Sequence, residues 1–197
     1  PYTDEFMSTF NEMKFKNSSI SKIDFFPYIN VTEDRISEEV DTKTGAEIFW
    51  KIDSGKQLNI AINPDFGQVE SDELVVNFTA NETFYSDKRP FFSENHSLFN
   101  VKGYEFFYVI NTRRIGAAPD YDCSKFAENL QAICSSSKLG TSDIDLAARY
   151  TQQGESFDFG VLAASEADQD FSQGRDFFAI RGRKTSTDYS LGYLGTY

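Results

Sequence analysis

Tryptophan and histidine each occur once in this chain, and methionine and cysteine twice each, among 197 residues. Basic residues are also scarce: 19 Lys and Arg stand against 31 Asp and Glu, giving a net charge of −12 and a pI of about 4.5. Phosphate backbones are gripped by clustered Lys and Arg, and here the basic residues are scattered apart from Arg181, Arg183 and Lys184, so nucleic acid is excluded as a partner. No apolar run approaches the roughly 20 residues of a transmembrane helix, which excludes a helical membrane protein. A membrane barrel is not excluded, because its lipid face takes only every second residue. Neither a phosphate loop nor G-x-G-x-x-G occurs, so nucleotide binding has no support. The sole histidine, in Glu94-Asn95-His96-Ser97, resembles no nucleophile elbow. Carboxylates are many, but no motif selects a glycosidase pair among them. Asp65, Glu70, Asp72 and Glu73 could surround a divalent cation, yet nothing reproduces the spaced loop of an EF-hand, so no metal site is assigned. No cofactor is expected, and a non-enzymatic role is favoured over catalysis. The chain starts at Pro1 with no signal peptide, which reads as a mature or excised piece of something longer.

What the chain has instead is aromatics, with twenty Phe and ten Tyr. Such a load suits pleated surfaces and also membrane–water interfaces. Alternation at period two supplies the strands. Ile23, Phe25, Pro27, Ile29 and Val31 oppose Asp24, Phe26, Tyr28 and Asn30. A hairpin then turns at Asp53-Ser54-Gly55, with Ala46, Ile48 and Trp50 on one arm and Leu58, Ile60 and Ile62 on the other. In the last third, Ile144, Leu146, Ala148 and Tyr150 share a face, as do Phe157, Phe159, Val161 and Ala163. Phe178 and Ile180 follow, and after a turn at Ser186-Thr187-Asp188 come Tyr189, Leu191 and Tyr193. Strands of about ten residues with one apolar and one polar or small face fit a membrane barrel, and equally a water-soluble sheet with one wetted face. Further expectations are a helical or irregular lead-in over the first twenty residues, a short helix near Asp72–Val76, and a strand at Tyr104–Asn111. Cys123 and Cys134, in one short polar segment around a helix at Phe126–Leu130, suit a disulfide closing a loop, with two free thiols as the alternative. A disulfide implies an oxidising compartment.

Between the third and fourth strands runs a string that no core requires: Asn63-Pro64-Asp65-Phe66-Gly67-Gln68-Val69-Glu70-Ser71-Asp72. Glu82-Thr83-Phe84, Lys88-Arg89-Pro90-Phe91-Phe92 and Arg113-Arg114-Ile115-Gly116 follow in order. These four pieces, with their spacing, resemble the DUF5916 family of bacterial outer-membrane proteins of unknown function. Asn81 and Tyr85 depart from the family pattern, standing where an apolar residue and a second Phe are expected. The likeness is strong from about Ile60 to Gly116 and rests on pattern alone elsewhere.

The resemblance implies the N-terminal part of an outer-membrane β-barrel, the portion that in relatives follows a carbohydrate-binding family 9-like module not recognisable here. The expected fold is all-β: one antiparallel meander of seven or eight strands within a single domain or barrel fragment, 1–197. Two loops are expected in it, a long ordered motif loop at 63–100 and a cysteine-bearing loop at 117–141. The motif's structural network is expected to comprise Asn63, Asp65, Phe66, Gln68, Glu70, Asp72, Glu82, Lys88, Arg89, Arg113 and Arg114. Its acids and bases would neutralise one another inside a lumen, because unpaired buried charge is costly. Expected partners are a membrane, for the full-length protein, and a glycan substrate handled by transport or at the surface. The rivals are a periplasmic carbohydrate-binding β domain and a membrane-associated hydrolase.

Overall fold

The computed structural model describes residues 21–34, 39–65, 87–94, 98–101, 109–136 and 140–197. Seven strands form one sheet: β1 (Lys22–Asp34), β2 (Glu39–Lys51), β3 (Lys56–Ile62), β4 (Ile144–Gln152), β5 (Phe157–Glu166), β6 (Asp176–Thr185) and β7 (Ser190–Thr196). Each pairs antiparallel with the next in sequence order, and the sheet is an open meander. The long excursion, 63–143, interrupts the chain between β3 and β4 without interrupting the sheet, since Leu58 faces Tyr150 directly across that pair. The expected lead-in and the helix near Asp72–Val76 lie outside the described residues, as does Tyr104–Tyr108 of the expected further strand. Val109–Asn111, its described end, is irregular.

Turn chemistry explains the strand ends at one edge of the meander. Asp53 accepts the Gly55 N–H at 2.8 Å, closing the β2–β3 turn. Asp158 accepts the Gly154 N–H between β4 and β5, and Ser186 N–H reaches the Tyr189 carbonyl between β6 and β7. All three turns are short and lie at the same end of the strands. The opposite end carries the long connections, 63–143 and 167–175.

The two faces of the sheet differ sharply. One presents Ile23, Phe25, Ile29, Ile48, Trp50, Leu58, Ile60, Ala148, Tyr150, Val161, Phe178, Ile180 and Tyr193. None of these is buried: Ile29 is 74% exposed and Phe25 58%. Its charged members, Glu33, Lys56, Asp176 and Lys184, all stand at strand ends. The other face presents Gln57, Asn59, Ala61, Ala147, Arg149, Thr151, Asp158, Gly160, Leu162, Ala164, Glu166 and Ala179, all buried. From β3 to β6 the covered side is therefore polar or small apart from Leu162, and the opposite side is largely apolar. Ile144 breaks the expected parity. A bulge between Ile144 and Leu146 adds a residue to β4, turning Ile144 away from Leu146 and into the core at 3% exposure.

The excursion supplies that cover. Phe91 and Phe92 of a one-turn helix, α1 (Pro90–Ser93), stack edge to face at 4.9 Å and are fully buried. With Leu98, Phe99 and Ile115 they fill the shallow bed made by Ala61, Ala147, Ala164 and Ala179. Large side chains from the loop meet small ones from the sheet, which lets an otherwise polar face hold an apolar cluster. Burying each Phe contributes about 1.5–3 kcal/mol. Gly160 marks the closest approach, because a Cβ there would stand 2.7 Å from Leu98 Cδ2 and 2.8 Å from Phe99 Cζ. The cysteines are bonded to one another with a Cα–Cα distance of 5.7 Å, and they bracket the start and body of α2 (Glu128–Ser136).

Candidate functional site

Three polar knots hold the excursion to the covered face. The first centres on Asp87, which is 7% exposed. Its Oδ1 accepts from Arg89 N–H and Nε at 3.0 and 2.9 Å; its Oδ2 accepts from Arg89 Nη2 at 2.6 Å and from the Thr112 hydroxyl at 2.9 Å. The same guanidinium donates to the carbonyls of Ile115 (2.7 Å) and Thr112 (2.8 Å) and stacks over Phe92 at 4.2 Å. Burial pushes the Asp87 carboxyl upward, but the bonds and charge of Arg89, with Thr112, outweigh it and hold the group below the ordinary aspartate value. Arg89 thus ties two stretches of the excursion together while presenting Phe92 to the core.

The second knot ties the excursion to the sheet's long-loop end. Glu166, 5% exposed at the end of β5, takes a two-pronged grip from Arg175 at 2.7 and 3.0 Å. It also accepts the Gly116 N–H at 2.7 Å, and Arg175 donates to the Ala117 carbonyl at 3.1 Å. The hydrogen bonds to Glu166 raise the Arg175 pKa above the ordinary arginine value.

The third knot crosses the sheet. Gln57 donates to Asn59, and Asn59 donates to Glu94 just beyond α1, both at 2.9 Å. Arg149, nearly inaccessible, lies 3.8 Å from the same carboxylate and 5.4 Å from the Phe91 ring centre. Glu94 also opens onto a cleft of about 620 Å³ walled by Asp24, Phe26, Glu47, Phe49 and Lys51 of β1 and β2 and by Pro90 and Ser93. Phe26 and Phe49 meet edge to face at 5.9 Å on its floor, and Phe26 remains 56% exposed.

The motif residues divide in position. Asn63, at φ +46°, donates to the Thr44 carbonyl at 2.6 Å, and its own carbonyl takes the Tyr28 hydroxyl. A left-handed turn suits Asn better than most residues. Asp65 accepts from Asn30 at 2.5 Å. Together these contacts steer the departing chain back over the covered face of β1 and β2. Arg113 and Arg114 form a single 3-10 turn, Thr112–Arg114, that aims the Thr112 carbonyl at Arg89. Lys88 stands exposed beside that knot. Phe66, Gln68, Glu70, Asp72 and Glu82 lie outside the described residues. Sequence reasoning missed Asp87, Thr112, Glu94, Arg149, Glu166 and Arg175. Only Asp87 carried a local signal, an acid two residues before Arg89; the others are brought together by the fold.

The molecule is thus an antiparallel sheet whose polar face is covered by its own long loop and whose apolar face is uncovered. It belongs to the family of domains of unknown function DUF5916, whose profile matches residues 20–142, more than half of the chain. That span holds β1 to β3 and the excursion and ends short of β4. No curated protein and no solved structure matches the chain.

Proposed function

We propose that this sheet is the wall of an outer-membrane β-barrel, with the excursion folded into the lumen as a resident plug. One observation carries the reading: among the described residues, the sheet side chains buried under the excursion are, Leu162 apart, polar or small, whereas the opposite face is largely apolar and none of its strand residues is buried. A water-soluble sheet arranges these faces the other way round. Charge on the apolar face is confined to strand ends, where a barrel meets the headgroups. No described helix is long and apolar enough to cross a membrane. The Cys123–Cys134 disulfide suits an envelope compartment. Short turns mark the periplasmic end of such barrels, so the β2–β3, β4–β5 and β6–β7 turns face the periplasm, and the excursion enters the lumen from outside.

The role that follows is passage or surface handling of a solute past the plug. The cleft over Phe26 and Phe49 suits a glycan, with ring faces for sugar C–H groups and Asp24, Glu47, Glu94 and Lys51 for hydroxyls. Trp50, the chain's single tryptophan, tests the reading because it sits on the apolar face. In reconstituted vesicles its emission is expected to be quenched by bromine on the acyl chains and untouched by aqueous iodide. Quenching by iodide alone would contradict the membrane assignment.

A further inference from the structure

Arg149, Arg175 and Arg183, on or beside the covered face, each face a carboxylate: Glu94, Glu166 and Asp158 respectively. Arg181, on the same face of β6, has no such partner among the described residues, and its Nε is shut off from solvent without a hydrogen bond. Its side chain lies over β7 at Gly192, where a Cβ would stand 2.6 Å from Nη1 and 2.7 Å from Nη2. The glycine is a hollow that seats the guanidinium against the strand. On the other flank, Arg181 pairs with Gly160 of β5, the position covered by Leu98 and Phe99. Arg183 follows two residues on, about 6.5 Å along the strand. It spends Nε and Nη2 on one oxygen of Asp158, at 2.8 and 2.5 Å, while the other oxygen takes the Gly154 N–H at 3.2 Å. Toward the short-turn end, Arg183 is therefore matched by a carboxylate and Arg181 beside it is not, among the described residues.

We infer that Arg181 and Arg183 form an oxyanion-binding site on the inner face, taking a carboxylate or phosphate group. A planar fork of N–H donors matches paired oxygens, and Arg181 has no carboxylate among the described residues to occupy its fork. The inference needs only the covered face of the sheet and holds whether or not that face lines a membrane barrel.

The test is titration calorimetry of the full chain with inorganic phosphate and, separately, with acetate, at constant ionic strength. Saturable binding of either is expected. Binding of both marks an oxyanion site indifferent to source; phosphate alone narrows it to phosphate. R181Q is expected to weaken the affinity at least about tenfold, the loss of a charge-assisted bond. K184Q removes the same charge from the opposite face and is expected to change it less than about twofold. R181K, which keeps the charge and loses the fork, is expected to fall between and serves as the test where R181Q loses its β-sheet circular dichroism. No saturable binding to the unaltered chain, unchanged binding in R181Q, or an equal loss in K184Q would overturn the site.

Discussion

Asp87 on the covered side and Ala148 on the opposite face each carry a consequence that a single substitution reads out. Asp87 is held below its ordinary pKa, so its contribution to stability is complete above the unfolded value of about 4 and is lost as pH falls through the lower folded value. The denaturation midpoint should therefore drop on acidification below about pH 4, and D87N should flatten that slope. D87N should also destabilise the fold near neutrality, by up to about 3–5 kcal/mol, because it neutralises one member of a largely buried ion pair. An unaltered acid slope in D87N would reject this assignment. Ala148 lies on the uncovered face in the middle of the sheet, flanked by Ile60 and Ala163. In lipid, A148R should cost roughly 2–4 kcal/mol; in water, an exposed substitution of this kind would stay within about 0.5 kcal/mol. Equilibrium unfolding from vesicles separates the two.

At the scale of elements, the excursion and the sheet are separate pieces joined by side chains. Leu98 and Phe99 occupy the space over Gly160, so G160L should push the tip of the excursion off the sheet at a cost of about 1–3 kcal/mol. Hydrogen exchange should rise around 98–101 and 112–116 while β1 and β2 keep their protection. Uniform loss across the sheet would mean that the excursion is integral to folding and not a docked plug. The disulfide spans a sequence separation of eleven, and a loop of that order contributes about 3 kcal/mol by chain entropy. Cys134 is buried but most of α2 is exposed, so reduction should loosen 117–136 alone, with the sheet's midpoint unchanged.

At the scale of the whole molecule, strand parity was the readable part. Side chains alternate strictly along a strand, so Phe25 against Phe26, or Val161 against Leu162, declared the two faces directly. The bulge that turns Ile144 inward was not readable, since one extra residue leaves the apolar spacing almost unchanged. Nor did alternation say which face is covered, because a barrel wall and a soluble sheet have the same period. That answer lies in Phe91, Phe92, Leu98 and Phe99 meeting Ala61, Ala147 and Ala164, contacts made only when distant segments come together. The motif announced a built loop, and the structure gives Arg89 contacts to Asp87, Thr112 and Ile115 within it. Its carboxylate, Asp87, stood outside the motif residues, and the second clamp, Glu166 with Arg175, lies beyond the family match.

The proposed barrel requires that the apolar face meet lipid in a closed wall. Its most direct test is a denaturing gel of the complete protein taken from cell envelopes, run with and without boiling, beside separated inner and outer membranes. Recovery in the outer-membrane fraction and a band that migrates differently until boiled are expected. A soluble protein whose mobility is the same with and without heat would contradict it.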